Sequence, residues 1–193
     1  IEPIFKQVID YNTAIAKEGL SNYYGLSIGK LMKEGMEDGA YGNDLRNNMA
    51  SFASAGSDAR MNGCSLPVMT TSGSGNQGMT CSLPVIKFCE MKNIPYEQLI
   101  RGLFFSHMTT IHIKSNIGRL SAYCGAVCAS GGVAGAISFL SGFSLAQIDS
   151  AIETTLATLS GVVCDGAKSS CATKIASGVA AAFDGYYASS KNR

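Results

Sequence analysis

Apolar residues recur along this chain at helical rather than strand spacing. Residues 3 to 18, PIFKQVIDYNTAIAKE, place Ile4, Val8, Ile9, Tyr11, Ile15 and Ala16 near one face of a helix that Gly19 stops. GLSIGKLMKEGM predicts a short second helix over about 25 to 35. The stretch from Asn43 to about Met61, rich in Ala, Met, Leu and Arg with few β-branched residues, reads as a third. Residues 77 to 92 carry apolar positions at the same spacing, and PYEQLIRGLFFSHMTTIHIK opens on Pro95, where helices commonly start. Residues 122 to 140, AYCGAVCASGGVAGAISFL, are almost wholly small or apolar, too short to span a bilayer and suited to a helix buried on all sides. In SLAQIDSAIETTLATLSG, Ser144 can cap, Leu145, Ile148, Ile152, Leu156 and Leu159 line one face, and Gly161 ends the helix. A last helix is predicted from about Ser170 to Tyr187.

No alternating strand stands out; TTIHIK is the best candidate and is six residues long. The expected fold is therefore all-α, a compact multi-helix domain with a Gly-rich loop and a buried small-residue helix. A chain of 193 residues, 46% hydrophobic, can bury one sizeable core, so residues 1–193 are expected to form a single domain. The pentapeptide CSLPV occurs at Cys64 to Val68 and again at Cys81 to Val85, and reads as two similar entries into buried segments.

Charge narrows the partners. Fifteen basic against fourteen acidic residues leave a formal charge of +1, so nothing points to nucleic acid or to an anionic membrane. A small molecule or a second copy of the chain is the expected partner. No run of eighteen apolar residues occurs, and the opening IEPIFKQVIDYN lacks the basic and apolar regions of a signal peptide, so a cytoplasmic location is expected. Seven cysteines, an odd number, then point to metal binding, catalysis or packing rather than to bridges.

The stretch TTSGSGNQGMT, residues 70 to 80, spells G-x-G-x-x-G through Gly73, Gly75 and Gly78. A dinucleotide turn needs a strand before it, a helix after it and an acidic residue about twenty residues on. LPVMTTS carries a proline and two threonines, and Glu97 falls at a helix start, so that context is missing. What remains is Ser72, Ser74, Asn76 and Gln77 among three glycines, just ahead of a helix whose N-terminus can receive a carboxylate or phosphate. A plain polar helix cap is the alternative.

Among the thiols, Cys124, Cys164 and Cys171 are spaced by forty and seven residues, the last two flanking Asp165-Gly166 between two helices. Zinc sites usually show closer pairs or a nearby histidine, and neither is present. Three cysteines around an interhelical break suit an iron–sulfur cluster lacking a fourth protein ligand; buried structural thiols are the alternative.

The segments ARMNGCSLPVMTTSGSGNQGMT, IGRLSAYCGA and SGVVCDGAKSSCATKIASG resemble the C-terminal half of the L-cysteine desulfidase family, relatives of the iron–sulfur L-serine dehydratase alpha chain. The likeness extends from the opening helix to about Phe183. It implies a [4Fe-4S] cluster held by three cysteines, matched here by Cys124, Cys164 and Cys171, with the fourth iron open as a Lewis acid for the leaving group. The implied reaction eliminates sulfide or water from L-cysteine or L-serine, giving pyruvate and ammonia. The glycine loop, Ser72, Gly73, Ser74, Gly75, Asn76, Gln77 and Gly78, would then hold the substrate carboxylate. Arg119 and Lys168 are candidates for anion pairing, against ordinary surface or helix-end charges, and His107 and His112, five apart, are expected to be packed or solvated.

This sequence departs from the family in one respect. Family members are about twice as long, and their N-terminal half carries a G-C-T-E-P motif with a cysteine implicated in catalysis; that motif is absent here. Cys64, Cys81, Cys89 and Cys128 stand in no such context. The catalytic base is therefore expected from a missing N-terminal half or a partner chain. Two other classes remain open: a carboxylate- or phosphate-binding module without chemistry, and a structural helical domain that mediates assembly.

Overall fold

The computed structural model describes residues 1–118 and 121–191. Eight helices run through them: α1 (Glu2–Ser21), α2 (Ile28–Glu37), α3 (Leu45–Met61), α4 (Gly75–Lys92), α5 (Tyr96–Ile117), α6 (Gly125–Leu140), α7 (Leu145–Thr158) and α8 (Ser170–Ser190). Among the described residues there is no strand beyond two isolated bridges, so the all-α expectation holds. TTIHIK continues α5: the Thr110 hydroxyl donates to the Ser106 carbonyl one turn back, at 2.7 Å, which lets a β-branched residue sit in a helix. No helix among the described residues is long and apolar enough to cross a membrane.

Side-chain caps decide where several helices begin. Asp44 accepts the Asn47 N–H at 2.9 Å, Ser74 that of Gln77 at 3.2 Å, and Ser144 forms a reciprocal capping box with Gln147. Each such cap is worth about 1 kcal/mol. α2 starts at Ile28 rather than near 25 because Gly25 and Ser27 hold φ of 54° and 51°, which no right-handed helix accepts.

α3, α4 and α6 occupy the centre. α6 is buried without a break from Ala126 to Ser138, as its small-residue composition predicts, and α3 is buried from Met49 to Ala59. Small residues let the helices approach closely. A Cβ at Gly132 of α6 would stand 2.2 Å from the Thr110 hydroxyl of α5, and one at Gly19 of α1 would stand 2.0 Å from the Ala55 carbonyl oxygen of α3. Any larger residue there would force the pair apart.

Three expectations need correction. The inner face of α1 is Phe5, Val8, Asn12, Ile15, Ala16 and Gly19, while Ile4 and Tyr11 are exposed. The stripe centres on a polar residue that an apolar pattern skips: Asn12 is fully buried, donates to the Ser82 hydroxyl at 2.9 Å and accepts the Met69 N–H at 2.9 Å. Beside it, complete burial of Ile15 contributes about 2 kcal/mol. On α7 the seam is Ile148, Ala151 and Thr155, and Leu145 is exposed because six residues before Ala151 puts it about 120° round the helix. The two CSLPV copies are not similar entries: residues 64–68 are extended and largely exposed, whereas 81–85 lie buried inside α4.

Candidate functional site

The glycine-rich stretch is half turn and half helix. Thr71 and Ser74 exchange backbone hydrogen bonds at 3.2 and 3.1 Å, with Ser72 and Gly73 at the tip in left-handed conformations of φ 51° and 80°. Ser74 then caps α4, and Gly75, Asn76, Gln77 and Gly78 are its first turn rather than a loop ahead of it. No strand precedes the turn, in keeping with the sequence-level rejection of a dinucleotide site.

Buried contacts hold this turn in place. Asn12 grips it at Met69, and the Thr71 hydroxyl lies 2.8 Å from His107 Nδ1 and 3.5 Å from the Cys81 thiol. His107 is packed, as expected, and burial pulls its imidazole down to about 4, so it is neutral at pH 7. Its Nε2 has no partner among the described residues. His112 is exposed.

Beyond the turn opens a cleft of about 290 Å³, lined by Arg60, Gly73, Ser74, Asn76, Gln77, Cys124, Gly125, Ala126, Cys164, Gly166, Ala167, Cys171 and Ile175. Three helices begin at its edge. Ser74 caps α4, Cys124 is the N-cap residue of α6, and Cys171 is the second residue of α8. Each start carries partial positive charge and free backbone N–H groups, so their convergence favours anions.

Side chains extend that field. Arg60, at the end of α3, reaches across Gly75 to donate to Asn76 Oδ1 at 3.3 Å, and a Cβ at Gly75 would lie 2.5 Å from its Nε. Gln77 is 2% exposed and its Nε2 has no partner among the described residues. A Cβ at Gly125 would lie 2.5 Å from Gln77 Oε1, so glycine at that helix start makes room for the amide. A buried amide N–H₂ left unpaired at a cleft is a donor awaiting an acceptor.

The thiols come together by backbone pairing. Cys124 N–H donates to the Val162 carbonyl at 3.1 Å and Cys164 N–H to the Ala122 carbonyl at 2.7 Å, around the Tyr123–Val163 bridge. Gly166, at φ 93°, turns the chain back so that Cys171 faces the same space and its thiol donates to the Gly166 carbonyl at 3.6 Å. Asp165 does not add a free carboxylate. It pairs with Lys174 and accepts from the Ser170 hydroxyl, contacts that hold it at about 2.

Burial pushes the Cys124 thiol up; the Ala126 N–H and Lys174 pull it back, while Cys164 and Cys171 push it further. Among the described residues no three His, Cys, Asp or Glu side chains form a ready-made group for a metal ion, so the thiols share a cleft without a closed coordination shell. The donor set still suits a cluster, which thiolates from separate segments can hold, since three thiols face one space and among the described residues no competing free carboxylate lines it. Cys81 and Cys89, by contrast, are buried and pushed up to about 12, as structural thiols are.

Not every expected residue belongs here. Gly73, Ser74, Asn76 and Gln77 line the cleft; Gly75 and Gly78 are buried behind it, and Ser72 lines neighbouring cavities instead. Lys168 is exposed and does not line the cleft, and Arg119 lies outside the described residues. The cations at the cleft are Arg60 and, through Asp165, Lys174, neither marked by sequence. Arg60 falls fifteen residues before Gly75 with nothing between to signal contact, and only the helical repeat to Ser57 and Gly56, three and four residues back, places it near the inner side.

An all-helical scaffold that gathers three helix starts, three thiols and a guanidinium defines an electropositive, thiol-lined cleft. The chain belongs to the serine dehydratase alpha chain family, whose sequence profile matches residues 1–192. It is similar to a UPF0597 protein of Fusobacterium nucleatum, 65% identical over 184 residues covering 95% of this chain and 43% of that protein. A UPF0597 protein of Lachnoclostridium phytofermentans is 53% identical over 182 residues, 94% of this chain and 42% of its own length. One of Finegoldia magna is 42% identical over 193 residues, 100% of this chain and 45% of its own length. The chain thus spans less than half the length of these relatives. The family match runs over nearly the whole chain and gives no support to assigning it to a C-terminal half. No solved structure matches.

Proposed function

We propose that this chain supplies the cleft of an iron–sulfur-dependent amino-acid lyase, which eliminates sulfide from L-cysteine or water from L-serine to give aminoacrylate, whose hydrolysis by one water yields pyruvate and ammonia. Cys124, Cys164 and Cys171 would hold a [4Fe-4S] cluster, which when bound supplies a Lewis-acid iron toward the leaving group. The observation that carries the reading is the convergence of those three thiols with the first turn of α4 on one cleft, although the thiols lie forty-six or more residues beyond Gly78 in sequence.

The chain's own residues would act on the substrate's other end. The N–H groups at the start of α4, the Ser74 hydroxyl, Gln77 Nε2 and the Arg60 guanidinium together form a cradle for a carboxylate. That cradle would fix the Cα–H direction and keep water from the carboxylate. No unpaired carboxylate and no histidine lines the cleft among the described residues, so the base that takes the Cα proton is assigned to a partner chain or to a further portion such as the longer relatives contain.

Anaerobic reconstitution with iron and sulfide tests this, read by visible absorption and an iron count on the wild type and Cys164→Ser. The wild type is expected to gain a broad cluster absorption that the variant cannot hold. Failure of the wild type to take up iron would overturn the cluster reading and leave the carboxylate cradle to be tested by itself.

A further inference from the structure

The turn at Ser72–Gly73 has a second side. Away from the thiols it borders an open cavity of about 700 Å³, lined also by Ile111, Lys114, Ser115 and Gly118. Ile111, Lys114 and Ser115 lie on one face of α5, three and four residues apart.

Lys114 is the unexplained group there. It is 7% exposed, yet among the described residues no carboxylate pairs with it and no hydrogen-bond acceptor takes its ammonium. The dipole favours a cation near the last turn of a helix, and with the stem of the side chain buried the unpaired ammonium is left to the open cavity that Lys114 lines. Cys128 sits within reach of its charge and does not serve, because burial pushes that thiol up and keeps it protonated.

We infer that this cavity is a second anion site, taking a small monocarboxylate with Lys114 as its counter-ion. The charge count selects the class. Among the described lining residues the one charge is the Lys114 ammonium, which balances one negative charge, so a phosphate dianion would remain under-compensated by them. Ser115 already donates its hydroxyl to the His112 carbonyl at 2.7 Å, which leaves the Ser72 hydroxyl and the Gly73 N–H as the remaining donors. Ile111 offers apolar surface to a short aliphatic tail. The inference does not depend on the cluster: the site shares only Gly73 with the thiol cleft.

The test is an NMR titration of the full chain with butyrate and, separately, with inorganic phosphate, following the Ile111 methyl and Gly73 amide signals. Wild type, Lys114→Met, Lys114→Gln, Lys114→Arg and Arg60→Met are compared, each checked for fold by circular dichroism. Butyrate is expected to shift both signals saturably in the wild type and in Arg60→Met. Affinity should fall at least about tenfold in Lys114→Met or Lys114→Gln, whichever folds, and be largely kept in Lys114→Arg. The proposal falls if the wild type shows no saturable shift, if removing the Lys114 charge leaves butyrate binding unchanged, or if Arg60→Met abolishes it instead. Tighter binding of phosphate than of butyrate would overturn the ligand class.

Discussion

The two walls of the thiol cleft are built differently. On one side, the start of α4 is locked: Gly75, Gln77 and Gly78 are buried, Ser74 caps the helix, and Asn12 and His107 pin the turn from behind. On the other, the segment from Val163 to Lys168 is exposed throughout and is held by the Tyr123–Val163 bridge and by contacts from Lys174, Ser170 and Cys171 at its margin. The first wall is fixed in place before any ligand arrives, whereas the second carries one thiol, Cys164, on backbone that a ligand could still draw inward, with Cys171 following on the first turn of α8. On the proposed function, rigid donors and adaptable soft ligands would serve opposite ends of one small substrate.

Substitutions should separate the walls by kind of damage. The largest loss of stability is expected from Gly78→Ala, because a Cβ there would lie 2.2 Å from the Met69 carbonyl oxygen, a backbone atom that cannot swing aside. A cost of about 3 kcal/mol is expected, lowering the melting temperature by roughly 6–12 °C in calorimetry. A melting point unchanged from the wild type would show that the turn is not packed as described.

His107 gives the locked wall a pH signature. Its folded-state value, about 4, lies below the ordinary 6.5, so the stability it contributes is complete above pH 6.5 and is lost as pH falls toward 4. Between pH 7 and 5 the wild type should lose about 2 kcal/mol from this source, and His107→Gln should not, as urea unfolding at several pH values can measure. Asp58, pushed up to about 6 by burial, works in the opposite sense, adding stability as pH falls from about 6 toward 4, so the comparison must be wild type against variant. Equal slopes for the two proteins would remove His107 from the account.

Arg60→Ala should weaken L-serine binding about tenfold in isothermal titration, while L-serinamide, which lacks the carboxylate, should bind both proteins alike. If acid and amide lose affinity together, Arg60 supports the fold of the cleft and does not read the carboxylate. The smallest effect on stability belongs to the exposed wall. Cys164→Ser should change unfolding free energy by less than about 0.5 kcal/mol even as it removes iron uptake. A large destabilisation in the iron-free protein would mean that this segment is as locked as the other.

Much of the fold was legible because helix starts and small-residue runs act locally. The Ser144 cap and the buried helix around Ala126–Ser138 follow from residues within a turn or two of one another, whereas Gly19, expected to stop α1, lies inside it and serves its close approach to α3, the helix ending at Ser21. The resemblance supplied the three cysteines, and the structure brings all three to one cleft. Gln77 was named from the glycine-rich stretch, but Arg60 and Lys114 were not readable. An arginine or lysine in an amphipathic pattern is usually solvated, and only neighbouring helices decide whether its charge faces water or a cavity.

The pentapeptide CSLPV marks the boundary between the two kinds of information. The same five residues lie extended and largely exposed at 64–68 and helical and buried at 81–85, where Ser82 donates to the Gly78 carbonyl at 2.8 Å and receives Asn12. Local chemistry permits both conformations, and packing against α1 selects one. The sequence by itself determined an all-α chain, its helix boundaries to within a few residues and the residue types able to bind an anion and a cluster, because these depend on near neighbours. Only the tertiary structure decided which charges are withdrawn from water and which helix starts converge, because desolvation and dipole alignment depend on distant elements meeting in space.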